Sequence, residues 1–307
     1  MCISALLQKD SSVAKQIDLS KMMARMEKLY AKDPSKLNKV GLGDKLRGLT
    51  ESDFLLMPPW WVKATNTKGI PYGKIVMIAG DSDSGKTSTA IAAMKAAQAQ
   101  NVGVIYVETE GKTTTQDMVN WGVDPTQVFL VQSSIAEEAF EMMFAAWDGF
   151  FLDNPDQKLL VIFDSLGNVV SKRDSEMDLT TSNQKPGGKG QINRLGINKL
   201  VAKRAEDDVA VLFINYTYDN IGSPGKTNAG GKAVNFFSSL TYQTSRKQWL
   251  EKTVKGEKVR IGARVQWRLF KNHIDKANPG PKNVEFDITA DGFNLVGSSN
   301  EDEGNEA

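Results

Sequence analysis

From Gly69 onward, short unbroken apolar runs alternate with longer stretches in which apolar and polar residues mix. Lys74–Ala79, Val102–Thr109, Val128–Val131, Lys158–Ser165 and Val209–Asn215 are the runs. Their length and continuity predict buried strands. Between them lie helix-forming stretches. Thr87–Gln100 is rich in alanine. Thr113–Trp121 carries threonines as possible caps. A helix starting at Ser133-Ser134 has Glu137-Glu138 in its first turn, and Ile192–Asp207 completes the set. Alternating strands and helices of this kind predict a parallel sheet covered on both faces. After it the pattern changes. Ser239–Gln248, Ala263–Phe270 and Asn283–Ile288 read as strands without intervening helices, with a charged hairpin, Leu250–Lys258, between the first two. The fold class is therefore α/β: a mostly parallel central sheet with antiparallel strands at its C-terminal end.

Ahead of this core, Val13, Ile17, Met22, Met23, Met26, Leu29 and Tyr30 recur at helical spacing. Asp33-Pro34 ends that helix. It either folds onto its own domain or forms an arm that packs on a neighbouring subunit. Residues 35–68 are irregular and read as a linker and entry segment. Pro58-Pro59-Trp60-Trp61 lies within it, and buried packing of the paired tryptophans is favoured over a base-stacking platform. The division expected is thus a helical arm over 1–34, a linker over 35–68, a core over 69–297 and an acidic, disordered tail over 298–307.

Composition narrows the chemistry. The 307 residues contain one cysteine, Cys2, and one histidine, His273, which leaves no basis for an internal disulfide or a Cys/His metal site. No run of 18 apolar residues spans a membrane, and the N-terminus lacks the layout of a secretory signal, so a cytoplasmic protein is expected. The net charge of +1 hides an asymmetry: from Ser171 to Lys282 there are 21 Lys/Arg against 10 Asp/Glu. A basic half suits a polyanionic partner.

The most specific chemical signal is Gly80-Asp81-Ser82-Asp83-Ser84-Gly85-Lys86-Thr87, the pattern G-x-x-x-x-G-K-T, followed by Ser88. Its glycines let successive N–H groups turn inward around phosphate oxygens. Lys86 can reach the outer phosphates, and the Thr87 hydroxyl can bind Mg²⁺. An apolar strand runs into the loop, and a helix N-terminus follows it, with its positive dipole end toward the anion. The strand ending at Asp164 supplies a carboxylate for Mg²⁺. Glu108 and Glu110, two apart at a strand edge, share one face in an extended chain and could orient a water for attack on the γ-phosphate. Two long Gly-rich loops, Ser171–Gln191 and Tyr216–Lys232, leave the same sheet edge. Lys172, Arg173, Lys185, Lys189, Arg194, Lys226 and Lys232, in or beside them, are the candidate contacts to a DNA backbone.

Several blocks, in order, resemble the RecA/RadA-type recombinases, and most nearly their phage UvsX-type members. They are Gly69-Ile70-Pro71-Tyr72-Gly73-Lys74, the phosphate loop, Tyr106-Val107-Glu108-Thr109-Glu110, Phe163-Asp164-Ser165-Leu166-Gly167-Asn168 with Ser171-Lys172-Arg173, and Phe213-Ile214-Asn215 leading to Ile221-Gly222 and Gly230-Gly231-Lys232-Ala233. The resemblance implies a RecA-like ATPase core with Glu110 as the residue that activates water. ATP would lie between protomers of a helical filament on single-stranded DNA, with duplex DNA as pairing substrate. Single-strand-binding and mediator proteins would be its accessory partners, in a bacterial or phage-infected cell. Lys271 and His273 match positions where the family places cations that reach a neighbour's ATP. Tyr216 stands where the family often has a Gln or His that senses the γ-phosphate, and His273 where lysine is common. Two other readings share these motifs: a RecA-core hexameric helicase, and a DNA-binding mediator that hydrolyses ATP weakly.

Overall fold

The computed structural model describes residues 18–37, 39–43, 48–178, 188–204, 207–219, 226–229 and 232–296. The side chains of Pro34, Ser35 and Lys232 are not among them. The chain forms two compact units, residues 1–49 and residues 50–307. In the first, helix α1 (Ser20–Leu29) precedes a single turn, α2 (Pro34–Leu37). Asp18 accepts the Ser20 N–H at 2.9 Å and so satisfies one of the free amides at the start of α1. No residue of α1 is buried, and its Met22 and Leu29 are 59% and 68% exposed. The part of the expected helix before residue 18 lies outside the described residues.

The second unit begins earlier than the pattern of apolar runs suggests. Within the stretch expected as linker, β1 (Phe54–Leu56) and α3 (Pro59–Thr65) are regular elements, and β1 pairs antiparallel with β2 (Gly69–Pro71). Proline at the first helical position and Asn66 in the left-handed conformation delimit α3. Both elements are too short for periodicity to reveal them.

The remaining elements follow the predicted alternation. They are β3 (Ile75–Gly80), α4 (Lys86–Ala99), β4 (Gly103–Glu108), α5 (Thr115–Asn120), β5 (Phe129–Gln132), α6 (Ala136–Asp153), β6 (Leu159–Asp164), α7 (Lys172–Ser175), α8 (Lys189–Lys203) and β7 (Val209–Asp219). Then come β8 (Lys226–Asn228), α9 (Lys232–Phe237), β9 (Leu240–Val254), β10 (Glu257–Asn272), β11 (Asn283–Thr289) and β12 (Gly292–Leu295). The large sheet runs β12-β11-β10-β9-β3-β7-β6-β4-β5, with β8 paired to β7. From β9 to β5 the neighbours are parallel, and from β9 to β12 antiparallel. The charged hairpin expected at Leu250–Lys258 is the tip of a longer antiparallel ribbon of β9 and β10 that reverses at Lys255-Gly256.

Successive residues of a strand face opposite ways, and this sorts the core into two halves. Val76 and Ile78 of β3 join Ala90, Ala93 and Met94 of α4 on one face. Ile75, Met77 and Ala79 join Phe140, Met143 and Trp147 of α6 and Ile197 and Leu200 of α8 on the other. The first face also holds an aromatic cluster. Trp61 meets Trp267 edge-on at 5.9 Å, and Trp60 stacks on Phe293 at 4.0 Å. The paired tryptophans thus serve packing, with Trp61 fully buried.

One result of this topology positions the site. In register, Gly80 lies opposite Tyr216, Asp164 opposite Ile214, and Glu108 opposite Asp164. The C-terminal ends of four parallel strands therefore meet along one edge, where open α/β sheets bind ligands.

Candidate nucleotide site

The phosphate-loop sequence forms the turn between β3 and α4. A Cβ on Gly80 would come within 2.1 Å of the Thr244 carbonyl, so only glycine allows β9 this close. Gly85 has φ +81°, and any Cβ there would sit 2.2 Å from Ile288 Cδ1. Lys86 opens α4, and its ammonium donates to the Asp81 carbonyl at 2.5 Å. The buried Ser84 hydroxyl holds the loop against Thr244 at 2.6 Å. Ser82, Asp83, Ser84, Gly85, Lys86, Thr87 and Ser88 line one cleft with Glu110, Lys112, Asp164 and Tyr216.

Two acids within the loop would repel a polyphosphate, and both are paired. Asp81 accepts from Lys226 Nζ at 2.5 Å and from the Thr217 hydroxyl at 3.2 Å. Asp83 accepts from Arg246 at 3.0 Å. Lys226, expected to contact DNA, is thus tied to the phosphate loop in this state.

Thr87 and Asp164 converge as the metal reading requires. The Thr87 hydroxyl donates to Asp164 Oδ2 at 3.1 Å. Asp164 is 4% exposed, and burial raises its pKa to about 6, with the Glu110 charge adding to the rise. Tyr106 hydroxyl, 3.3 Å away, is a further partner. A buried carboxylate beside a hydroxyl, short of positive charge, suits a divalent ion. Among the described residues no cluster of three His, Cys, Asp or Glu could hold a metal without help from a ligand. Mg²⁺ arriving with a phosphate fits this donor set.

Glu108 and Glu110 do not share a face. Strand β4 stops at Glu108, whose buried carboxylate turns back to accept backbone N–H groups of the next residues. Glu110 alone faces the cleft. The Tyr216 hydroxyl donates to it at 2.5 Å, Ser165 at 2.9 Å, and Lys112 pairs with it at 2.8 Å. Burial pushes the Glu110 pKa up, but the hydrogen bonds from Lys112, Tyr216 and Ser165 outweigh it and hold the carboxyl below its usual range. Tyr216 is raised to about 12 by burial and by the same hydrogen bond. Its ring lies over the Lys86 ammonium, 4.7 Å from the ring centre, so one side chain bridges the loop lysine and the acid. Burial lowers the Lys86 pKa, although Asp164 and Glu110 oppose the shift.

The other candidates lie elsewhere. Lys271 donates to the carbonyls of Asn235 and Phe236 at 2.8 and 3.0 Å, at the C-terminal end of α9, where a cation is favoured. His273 follows β10, and its backbone N–H donates to Ser239. Neither lines the cleft of its own chain. Lys172 and Arg173 are exposed on α7, and Arg194 is exposed on α8. Lys189 begins α8 and donates to the Gly167 carbonyl at 2.5 Å. Lys232 begins α9. Lys185, Ile221-Gly222, Gly230-Gly231 and the acidic tail lie outside the described residues. Sequence reasoning missed Lys112, Ser165 and Tyr106. Ser165 directly follows Asp164, and Lys112 and Tyr106 flank the Glu108–Glu110 segment, so their signal was adjacency, with Tyr106 and Ser165 also inside matching blocks.

The family model for the RecA N-terminal domain matches residues 61–293. The chain is similar to Protein RecA of Malacoplasma penetrans, 28% identical over 228 residues, which are 73% of this chain and 65% of that protein. It is 27% identical to Protein RecA of Arthrobacter sp. over 281 residues, 89% of this chain and 73% of that protein. With Protein RecA of Mycobacterium ulcerans it shares 27% over 273 residues, 87% of this chain and 72% of that protein. The chain therefore spans about two thirds to three quarters of the length of these relatives.

Proposed function

Because the chain belongs to the RecA family, we propose that it is a DNA-stimulated ATPase that assembles as a helical filament on single-stranded DNA and promotes homologous pairing and strand exchange. The carrying observation is the cleft itself. It gathers a phosphate loop, the buried Asp164 with Thr87 beside it, and a further acid, Glu110, with Tyr216 of β7 against them. Gly80 to Ser88 would cradle the triphosphate. Thr87 and Asp164 would hold Mg²⁺, which neutralises phosphate charge when bound. Glu110 would orient and deprotonate the attacking water. Tyr216 touches both Lys86 and Glu110, and a terminal phosphate bound by Lys86 would press on its ring. Tyr216–Asp219, expected as loop, extend β7 and pair with β8, so ATP entry would move these strand ends and so report nucleotide to DNA. The unburied apolar face of α1 supports docking of this helix on an adjacent protomer, and Lys271 and His273 would face that protomer's nucleotide. Affinity to the phage branch, signalled by Ser171-Lys172-Arg173, belongs to the same proposal.

Phosphate release measured with and without single-stranded DNA tests this reading. Stimulation by DNA supports it, and a rate indifferent to DNA counts against it. The salt dependence of DNA binding tests the loop assignment. Each phosphate contact on a single strand contributes about −0.7 to the slope of log K against log salt. Replacing Lys172 and Arg173 together by alanine is expected to flatten the slope by about 1.4. An unchanged slope would place DNA elsewhere.

A further inference from the structure

Lys112 belongs to a turn built to aim it. The Glu108 carboxylate accepts the N–H groups of Glu110 at 3.1 Å, Gly111 at 2.8 Å and Lys112 at 3.2 Å. Gly111 has φ +67°, a left-handed conformation that side chains resist, and the reversal sends residues 110 and 112 into one cleft. The Lys112 side chain is 70% exposed, yet its ammonium points inward to Glu110.

Charge balance gives this ammonium a role. The ionised groups lining the cleft are Asp83, Glu110 and Asp164 against Lys86 and Lys112, a balance of −1, or −2 without Lys112. A nucleoside triphosphate brings about four further negative charges, of which Mg²⁺ cancels two. Lys271, engaged with the end of α9, does not line the cleft of its own chain. The lone pairs of Glu110 point the same way. The single Tyr216 proton lies close to both oxygens, Ser165 donates to Oε1, and Lys112 to Oε2, so three donors take three of the roughly four acceptor sites of a carboxylate. Departure of Lys112 would open a second site, on Oε2, to water. An exposed lysine in a single ion pair is held by only about 0–1 kcal/mol, so Lys112 is the donor most easily drawn away by a stronger anion.

We propose that Lys112 is a phosphate-binding residue of this cleft, whose ammonium passes from Glu110 to the terminal phosphate of an entering nucleoside triphosphate and so frees a carboxylate lone pair for the attacking water. The inference deepens the ATPase reading and rests on it.

The test is equilibrium binding of ADP and of a non-hydrolysable ATP analogue, each with Mg²⁺, to the full chain and to its Lys112→Met and Lys112→Arg variants. Loss of one charge-assisted hydrogen bond predicts about tenfold weaker binding of the triphosphate analogue by Lys112→Met. ADP binding stays unchanged, and Lys112→Arg keeps most of the triphosphate affinity. Equal losses for both nucleotides, or none for either, would overturn the proposal. If the unaltered chain binds neither nucleotide, the ATPase reading falls and this one with it. If it binds both and Lys112→Met matches it, only the Lys112 assignment falls.

Discussion

Glu110→Gln is expected to lower steady-state phosphate release by about 10²–10⁴-fold while nucleotide binding persists. The change removes the proton acceptor and keeps the shape. Glutamine still fills the space between Tyr216 and Ser165, whose hydroxyls donate to the carboxylate at 2.5 and 2.9 Å. Glu108 provides the contrast. Its buried carboxylate caps three backbone N–H groups and does not line the cleft, so Glu108→Gln should loosen the turn and lower stability before it alters chemistry. Single-turnover phosphate release, measured beside nucleotide binding, separates the two. Near-normal hydrolysis by Glu110→Gln would remove Glu110 from the role of base.

Trp61→Ala is expected to destabilise the core unit by about 3–5 kcal/mol, the range for deleting a fully buried aromatic side chain. Trp61 is inaccessible to solvent, its indole N–H donates to Thr67 Oγ1 at 3.1 Å, and its ring meets Trp60 and Trp267 edge-on. The loss therefore combines a cavity with one hydrogen bond to the Thr67 hydroxyl, which keeps Thr65 and the Gly69 carbonyl as partners. Chemical denaturation followed by tryptophan fluorescence and circular dichroism measures it. A base-stacking role would give the opposite pattern: weakened DNA binding with stability intact.

The sheet and its flanking helices were legible because long apolar runs and the helical stretches between them leave a strong pattern. The phosphate loop was legible because its chemistry tolerates few residue types. Glu110 was reachable only through the resemblance, since spacing gave Glu108 equal standing. What separated them was the end of β4 at Glu108, a boundary set by the turn at Gly111 and by the pull of three amides on one carboxylate. The elements β1 and α3 escaped notice for another reason. Three strand residues and seven helical ones are too few to show a period, and their stability comes from partners distant in sequence, such as Trp267 and Phe286. Tyr106 and Ser165 stood inside matching blocks without a role of their own, and Lys112 stood in none. Their proximity to Glu110 and Asp164 follows from a turn and from strand register. The ties of Lys226 to Asp81 and of Arg246 to Asp83 likewise join residues more than a hundred positions apart.

In the proposed mechanism ATP controls how copies of this chain hold a DNA strand. Electron microscopy of the protein on long single-stranded DNA, with Mg²⁺ and a non-hydrolysable ATP analogue, tests that directly. Continuous helical filaments that shorten or dissolve when ADP replaces the analogue are the predicted result. Closed rings, or single molecules scattered on the DNA whatever the nucleotide, would contradict it.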